Sequence, residues 1–154
     1  MLADELRMMA PRDSDWFTLD ATRVKAFADA TEDWQDIHLE EGFASQTPFG
    51  GTIAHGFLTL SMLSAMSYQV TADLKGVASS VNYGFDRIRF VSPVRVGRRV
   101  RGRFSVAGVD EGRPKGAPED APAAWLDVHW EVEVEIEGEA RPALVASWIT
   151  RFYV

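Results

Sequence analysis

Apolar and polar residues alternate without interruption between residues 125 and 137. The apolar set faces one side and a glutamate-rich set faces the other: Leu126, Val128, Trp130, Val132, Val134 and Ile136 against Asp127, His129, Glu131, Glu133, Glu135 and Glu137. A period of two over this length predicts a strand with one buried and one solvated face. The same pattern, less regular, predicts strands over residues 82–96, 100–109 and 143–154, with a Gly- and Pro-rich loop over 110–121. Strands in meander order predict an antiparallel sheet with one face in solvent.

Two earlier segments have helical spacing instead, over residues 22–31 and 54–74. The longer one is apolar all the way round and has no charged face, which predicts a helix that is buried on most sides. Residues 40–46 could add one or two turns before the break at Pro48 and the two glycines that follow it. A buried helix followed by antiparallel strands predicts an α+β architecture, in which a curved antiparallel sheet is wrapped around one long central helix.

Length, charge and composition narrow the possible functions. The 154 residues predict one domain, residues 1–154. They include no cysteine, which excludes thiolate zinc sites, iron–sulfur clusters and a cysteine nucleophile. The net charge of -7 argues against a nucleic-acid partner. The longest apolar-rich stretch, Phe57 to Val70, is too short and too hydroxylated to span a membrane. The N-terminus does not have the pattern of a signal peptide, so a cytoplasmic location is expected.

Asp33 and His38 are the first candidates for chemistry. They lie five residues apart, near the start of a segment expected to be extended. A carboxylate and an imidazole at one site can hold a water molecule between them and move its proton near neutral pH. Aspartate and histidine in a polar loop are also common turn and capping residues. Their spacing alone leaves both interpretations open.

The start of the long helix offers a second candidate, Gly56. Backbone N–H groups in the first turn of a helix have no partner within the helix and lie at the positive end of its dipole. A glycine there lets a substrate oxygen approach, so Gly56 could act as an oxyanion donor or could simply allow close packing. Ser64 lies about two turns further along the same helix. It is either a small residue at a helix contact or part of the site.

These residues together resemble the hydratase-two motif of the MaoC-like family, the (R)-specific enoyl-CoA hydratases and dehydratases. Family members carry Asp, four residues and His, followed by an apolar-His-Gly step into the central helix; residues 33–38 and 53–56 match this order. The run P-F-G-G-T-I-A-H-G-F-L-T-L-S at residues 48–61 and the segment 83–97 are similar to the branch that resembles nodulation protein N. The resemblance covers most of the chain.

The resemblance implies a hot-dog fold, an acyl-CoA thioester as substrate, and a homodimer with the substrate near its interface. No cofactor and no metal are expected. Asp33 and His38 would be the catalytic pair that activates water. Gly56 would donate its N–H to the thioester oxygen, and Ser64 would support the pair. The expected activity is reversible hydration of a trans-2-enoyl thioester to the (R)-3-hydroxyacyl product. The alternatives are a hot-dog acyl-CoA thioesterase and a non-catalytic module that binds acyl thioesters.

One position departs from the family pattern. Many hydratases have Asn-Pro inside the motif, where this chain has Gln35 and Asp36. The extra carboxylate of Asp36 would either raise the pKa of Asp33 or His38, or face solvent.

The remaining histidines and the arginines have simpler interpretations. His55 is expected to support the turn into the helix, and His129 to be solvated on its strand. Three histidines without a shared spacing do not indicate a metal site. Seven arginines lie between Arg87 and Arg103. They either form a solvated strand face opposite residues 131–137, or offer a landing area for the phosphates of coenzyme A.

Overall fold

The computed structural model describes residues 1–154 and contains five helices and six strands. The helices are α1 (Leu2–Arg7), α2 (Ala21–Thr31), α3 (Asp36–Leu39), α4 (Glu41–Ala44) and α5 (Gly56–Val70). The strands are β1 (Arg12–Asp13), β2 (Phe17–Thr18), β3 (Ser79–Phe90), β4 (Arg99–Gly112), β5 (Trp125–Ile136) and β6 (Leu144–Tyr153). The predicted α+β architecture is therefore present.

The strands form one antiparallel sheet in the order β1-β4-β5-β6-β3, with β2 also paired to β4. The meander holds for β4, β5 and β6, but the prediction that β3 continues it is wrong, because β3 pairs with β6 at the far edge. Residues 91–98 carry the chain from that edge back to β4, so the segment predicted as a strand up to residue 96 ends at Phe90. Alternation of side chains reports which face is buried and carries no information about the neighbouring strand.

The alternating segment behaves as its pattern predicts. On β5 every second residue is buried, from Leu126 to Ile136, and the intervening residues are partly or fully exposed. Trp130 lies opposite Trp148 of β6 in the pairing, and its indole N–H donates to Thr150 Oγ1 at 2.8 Å. The inner face of the sheet is therefore apolar, and the buried Trp130 N–H is paired, whereas the buried indole N–H of Trp148 has no partner.

Helix α5 packs on this inner face but is not enclosed by it. One side is buried through Leu58, Leu63 and Met66. The opposite side leaves Phe57 68% and Tyr68 61% exposed. The prediction of a helix buried on most sides is thus only half met within one copy of the chain. The apolar residues that encircle the helix need a second covering surface.

The N-terminal elements were not predicted from the sequence. α1 lies against β4, where the Arg7 guanidinium donates to the carbonyl of Val109 at 3.0 Å. β1 and β2 have two residues each, too few to show a period. None of the helices combines the length and the apolar content needed to cross a bilayer.

Five of the seven arginines of the cluster form ion pairs, three of them on β4 and two in the connection before it. The pairs are Arg95–Glu41, Arg98–Glu139, Arg99–Glu137, Arg101–Glu135, Arg101–Asp13 and Arg103–Asp13. This supports the interpretation as a solvated strand face. The alternative, binding of the coenzyme A phosphates, now rests on Arg87 and Arg89, which lie on β3 and form no ion pair.

Candidate active site

The end of α2 places Asp33. The helix begins at the cap of Asp20, whose carboxylate accepts from the Arg23 N–H at 2.8 Å, and it ends at Glu32 in the left-handed conformation, φ 60°. Glu32 is the one non-glycine residue of the chain with a positive φ. Such strain persists where the surrounding structure holds it in place. It turns the chain sharply, so that Asp33 follows directly and lies half-buried beside the start of α3.

His38 lies on α3, a single helical turn, and not near an extended segment as the sequence suggested. Its side chain is 8% exposed. Its Nδ1 lies 2.7 Å from the carbonyl oxygen of Ile53. A carbonyl oxygen can only accept, so Nδ1 carries the proton and Nε2 keeps a free lone pair. The backbone of residue 53 therefore selects the tautomer of His38.

His55 completes the group and was not among the predicted site residues. It is the N-cap of α5 and is 2% exposed. Its Nε2 lies 3.0 Å from the backbone carbonyl oxygen of Asp33, and its ring stacks on the His38 ring with centroids 3.7 Å apart. The sequence showed this histidine inside the His-Gly motif. His55 and Asp33 are 22 positions apart in the sequence, so their contact could not be predicted from the spacing of the motif.

Burial is the main cause of a lowered pKa at His38. Removal from solvent disfavours the imidazolium, and the nearby ring of His55 acts in the same direction. The hydrogen bond to Ile53 and the carboxylate of Asp33 oppose this shift without cancelling it. His38 is thus kept neutral around pH 7. Asp36 is exposed and does not contribute to the shift, so the alternative in which it faces solvent is supported.

Gly56 lies on the wall of a cavity of about 220 Å³ that His38 also lines. Thr59 and Phe90 contribute to the same wall. A β-carbon at position 56 would lie 3.0 Å from the Phe90 ring, so the helix start and β3 approach closely here. The N–H groups of Leu58 and Thr59 both bond to the carbonyl of His55, at 3.0 and 3.2 Å. The N–H groups of Gly56 and Phe57 come before this first helical hydrogen bond and have no partner within the helix.

Ser64 lines a different cavity. That space, about 250 Å³, lies between α5 and the inner face of β3, β5 and β6, with Asn82 and Trp148 among its walls. The structure therefore places His38 and Gly56 on the wall of one cavity, with Asp33 close to His38, and leaves Ser64 two turns away along α5. A role for Ser64 in the reaction stays a prediction.

Asp33, His38 and His55 are also the residues that could hold a metal ion. One potential ligand atom of each lies within 4.8 Å of those of the other two. Zinc needs imidazole nitrogens at about 2.0–2.1 Å, with lone pairs that converge on the ion. The two rings are stacked with an angle of 26° between their planes, so their in-plane lone pairs lie in two nearly parallel planes. The geometry favours contact between the rings over chelation of an ion.

Comparison with known proteins identifies the family. The family model for the MaoC like domain matches residues 6–120. The chain belongs to the MaoC-like family. A nodulation protein N of Rhizobium leguminosarum bv. viciae is 51% identical over 138 residues, 89% of this chain and 80% of that protein. A 3-hydroxyacyl-thioester dehydratase Z of Mycobacterium tuberculosis is 42% identical over 139 residues, 90% of this chain and 85% of that protein.

The solved structures confirm the hot-dog fold expected of a MaoC-like chain. The (R)-hydratase from A. caviae involved in PHA biosynthesis superposes with a TM-score of 0.68 at 26% identity, covering 92% of each chain. The fold, the family and its dehydratase and hydratase relatives are thereby established. The reaction and substrate of this MaoC-like protein are proposals.

The lowered pKa of His38 predicts a specific dependence of stability on pH. Because the folded state binds this proton less tightly than the unfolded state, stability falls as pH drops below the ordinary histidine value of 6.5 and levels off below the folded value. The free energy of unfolding, measured in denaturant, should therefore be lower at about pH 5.5 than at about pH 7.5, and this loss should be smaller in His38→Gln. His129→Gln is the matched control and should keep the loss. Equal losses in wild type and His38→Gln would contradict the assignment.

Proposed function

We propose that this protein is a hydro-lyase that adds water reversibly to a trans-2-enoyl-CoA thioester and gives the (R)-3-hydroxyacyl-CoA product. The observation that carries the proposal is the meeting of Asp33 and His38 beside a cavity whose wall includes the start of α5. The relatives named as a 3-hydroxyacyl-thioester dehydratase and an (R)-hydratase support the substrate class. The single domain and cytoplasmic location expected from the sequence stay predictions.

Asp33 and His38 handle the protons in this proposal. His38 is neutral and has a free Nε2 lone pair, so it can accept a hydrogen bond from water, as can the Asp33 carboxylate. The pair takes one proton from the water as its oxygen bonds to C3, and one proton is delivered to C2. The two groups titrate as a unit, so the roles of base and acid belong to the pair.

Gly56 supplies the electrostatic part. Attack at C3 moves electron density onto the thioester oxygen, and a fixed N–H donor there stabilises that charge. The Gly56 N–H lies at the positive end of α5, ahead of the first helical hydrogen bond, and the absence of a side chain lets an oxygen approach it. No metal ion is required for this polarisation.

Removing either member of the pair should abolish most of the activity. Asp33→Asn and His38→Gln should each lower hydration of crotonyl-CoA by about 10²- to 10⁴-fold, the usual range for acid–base groups. The measurement is the loss of ultraviolet absorbance of the conjugated enoyl thioester, with thiol release followed in parallel. Asp36→Asn and His129→Gln are matched controls, an exposed carboxylate and a distant histidine, and should stay near wild type. Release of thiol without hydration would identify a thioesterase. The absence of both reactions would identify a binding module.

Gly56→Val tests the oxyanion donor. The branched side chain should block the approach to the N–H and lower turnover per folded molecule by about 10²-fold or more. Gly42→Val on α4 is the control, because a β-carbon there meets nothing within 4 Å. Thermal unfolding of both variants separates loss of fold from loss of chemistry. A folded Gly56→Val protein with near-normal turnover would exclude Gly56 from the mechanism.

A homodimer is the second part of the proposal. β3 is an edge strand of 12 residues that pairs only with β6. Val81, Tyr83 and Phe90 are exposed apolar side chains on β3, and Phe90 meets the uncovered Phe57 of α5 edge to face, with ring centroids 5.9 Å apart. An unpaired apolar edge of this length is a template for pairing with another strand. Two copies joined in two-fold symmetry would cover both the edge and the exposed side of α5.

A charge on this edge should weaken the dimer. Wild-type protein should sediment as a dimer at micromolar concentration, and Val81→Lys should shift it towards monomer, because lysine on an edge strand opposes pairing. Val154→Lys is the matched control, since Val154 and Val81 are both 46% exposed and Val154 lies outside β3. A wild-type monomer, or equal effects of the two variants, would contradict the proposed interface.

A further inference from the structure

His55 is a buried titratable residue to which the proposed mechanism assigns no step. It contacts both members of the catalytic pair: its Nε2 lies 3.0 Å from the Asp33 carbonyl oxygen, and its ring stacks on His38 at 3.7 Å. Phe27 of α2 packs on the same ring, with centroids 4.9 Å apart. The residue is therefore held between the segments that carry Asp33 and His38.

The hydrogen bonds determine which proton His55 carries. Since the Asp33 carbonyl can only accept, the proton is on Nε2. Nδ1 is buried and has no hydrogen-bond partner. A second proton on Nδ1 would be a buried donor without an acceptor, and would place a positive charge against the His38 ring.

The two contacts have different consequences. The Nε2–H bond fixes the peptide of Asp33 directly after the strained Glu32, where the chain has no helical hydrogen bond to hold it. The stacked ring excludes solvent from His38, and this burial disfavours the charged imidazolium form of His38. One contact controls position and the other controls charge.

We propose that His55 is a positioning residue, which holds the Asp33 backbone through its Nε2–H and keeps the stacked His38 ring neutral and ready to accept a proton. The charged and titratable groups that act on His38 are Asp33, from the segment after α2, and His55 itself, at the start of α5. Asp36, on the same short helix as His38, is exposed. The kinetic part of this inference rests on the proposed hydration, and the structural part does not.

Nitrogen NMR of the ¹⁵N-labelled protein tests the structural part without any activity. Long-range proton–nitrogen spectra distinguish the two tautomers, and His129→Gln assigns the third histidine. At neutral pH we expect His55 with its proton on Nε2 and His38 with its proton on Nδ1. His55→Gln keeps an N–H but removes the second imidazole, so the titration midpoint of His38 should move to higher pH. A His55 proton on Nδ1, a doubly protonated His55, or an unmoved His38 midpoint would overturn the proposal.

Kinetics separate the two contacts. His55→Phe keeps an aromatic ring on His38 but loses the bond to Asp33, and should lower kcat about 10- to 100-fold, the effect of a small misplacement of a catalytic group. His55→Gln should recover most of that loss, with the acidic limb of its kcat/KM profile moved to higher pH together with the NMR midpoint. Equal kcat losses in both variants, with an unmoved limb, would reduce His55 to a packing role. Absence of hydration in wild type would refute the proposed function and leave the NMR result standing.

Discussion

The peptide of Ile53 ties together the elements that make the site. Its N–H donates to the carbonyl of Ile37 at 3.0 Å, and its own carbonyl accepts from His38. The next N–H, of Ala54, donates to Val94 at 2.8 Å. A short helix that could not persist alone is thereby fastened to the segment leading into α5 and to the return from β3. Two residues beyond Ile53 comes His55, and one further Gly56, so the helix start, the tautomer of His38 and the cavity wall depend on one extended segment.

Buried polar groups and surface charges have separate roles in this molecule. Near the cavity, the chain holds two stacked histidines, each with one nitrogen bonded to a backbone carbonyl. Their backbone partners give fixed proton positions in a site with little solvent. On the outer face, arginines and glutamates pair across β4 and β5 in solvent, where each pair contributes little to stability. The net negative charge and the arginine cluster are therefore properties of the solvent-exposed surface. The proposed chemistry depends instead on the few buried groups near the cavity.

The half-covered α5 connects the fold to the proposed assembly. In a soluble helix that packs on one sheet, the opposite side is normally polar. Here that side carries Phe57 and Tyr68, close to the unpaired edge of β3. Phe57 also meets Phe90 edge to face, with centroids 5.9 Å apart, and Phe90 lies against Gly56. A second copy on this surface would thus border the cavity as well as cover the helix.

The amino-acid sequence by itself determined the fold class, the faces of β5, the long helix and the pairing of Asp33 with His38 as candidates. Periodicity records burial locally, and the spacing of the motif falls within one short segment. Tertiary structure decided the position of β3 beside β6, the helical setting of His38 and the separation of Ser64 from the pair. It also decided the stacking of His55 on His38. These features depend on contacts between residues far apart in the chain, such as the bond from His55 to the Asp33 carbonyl, which form only when α2, α3 and α5 are packed together.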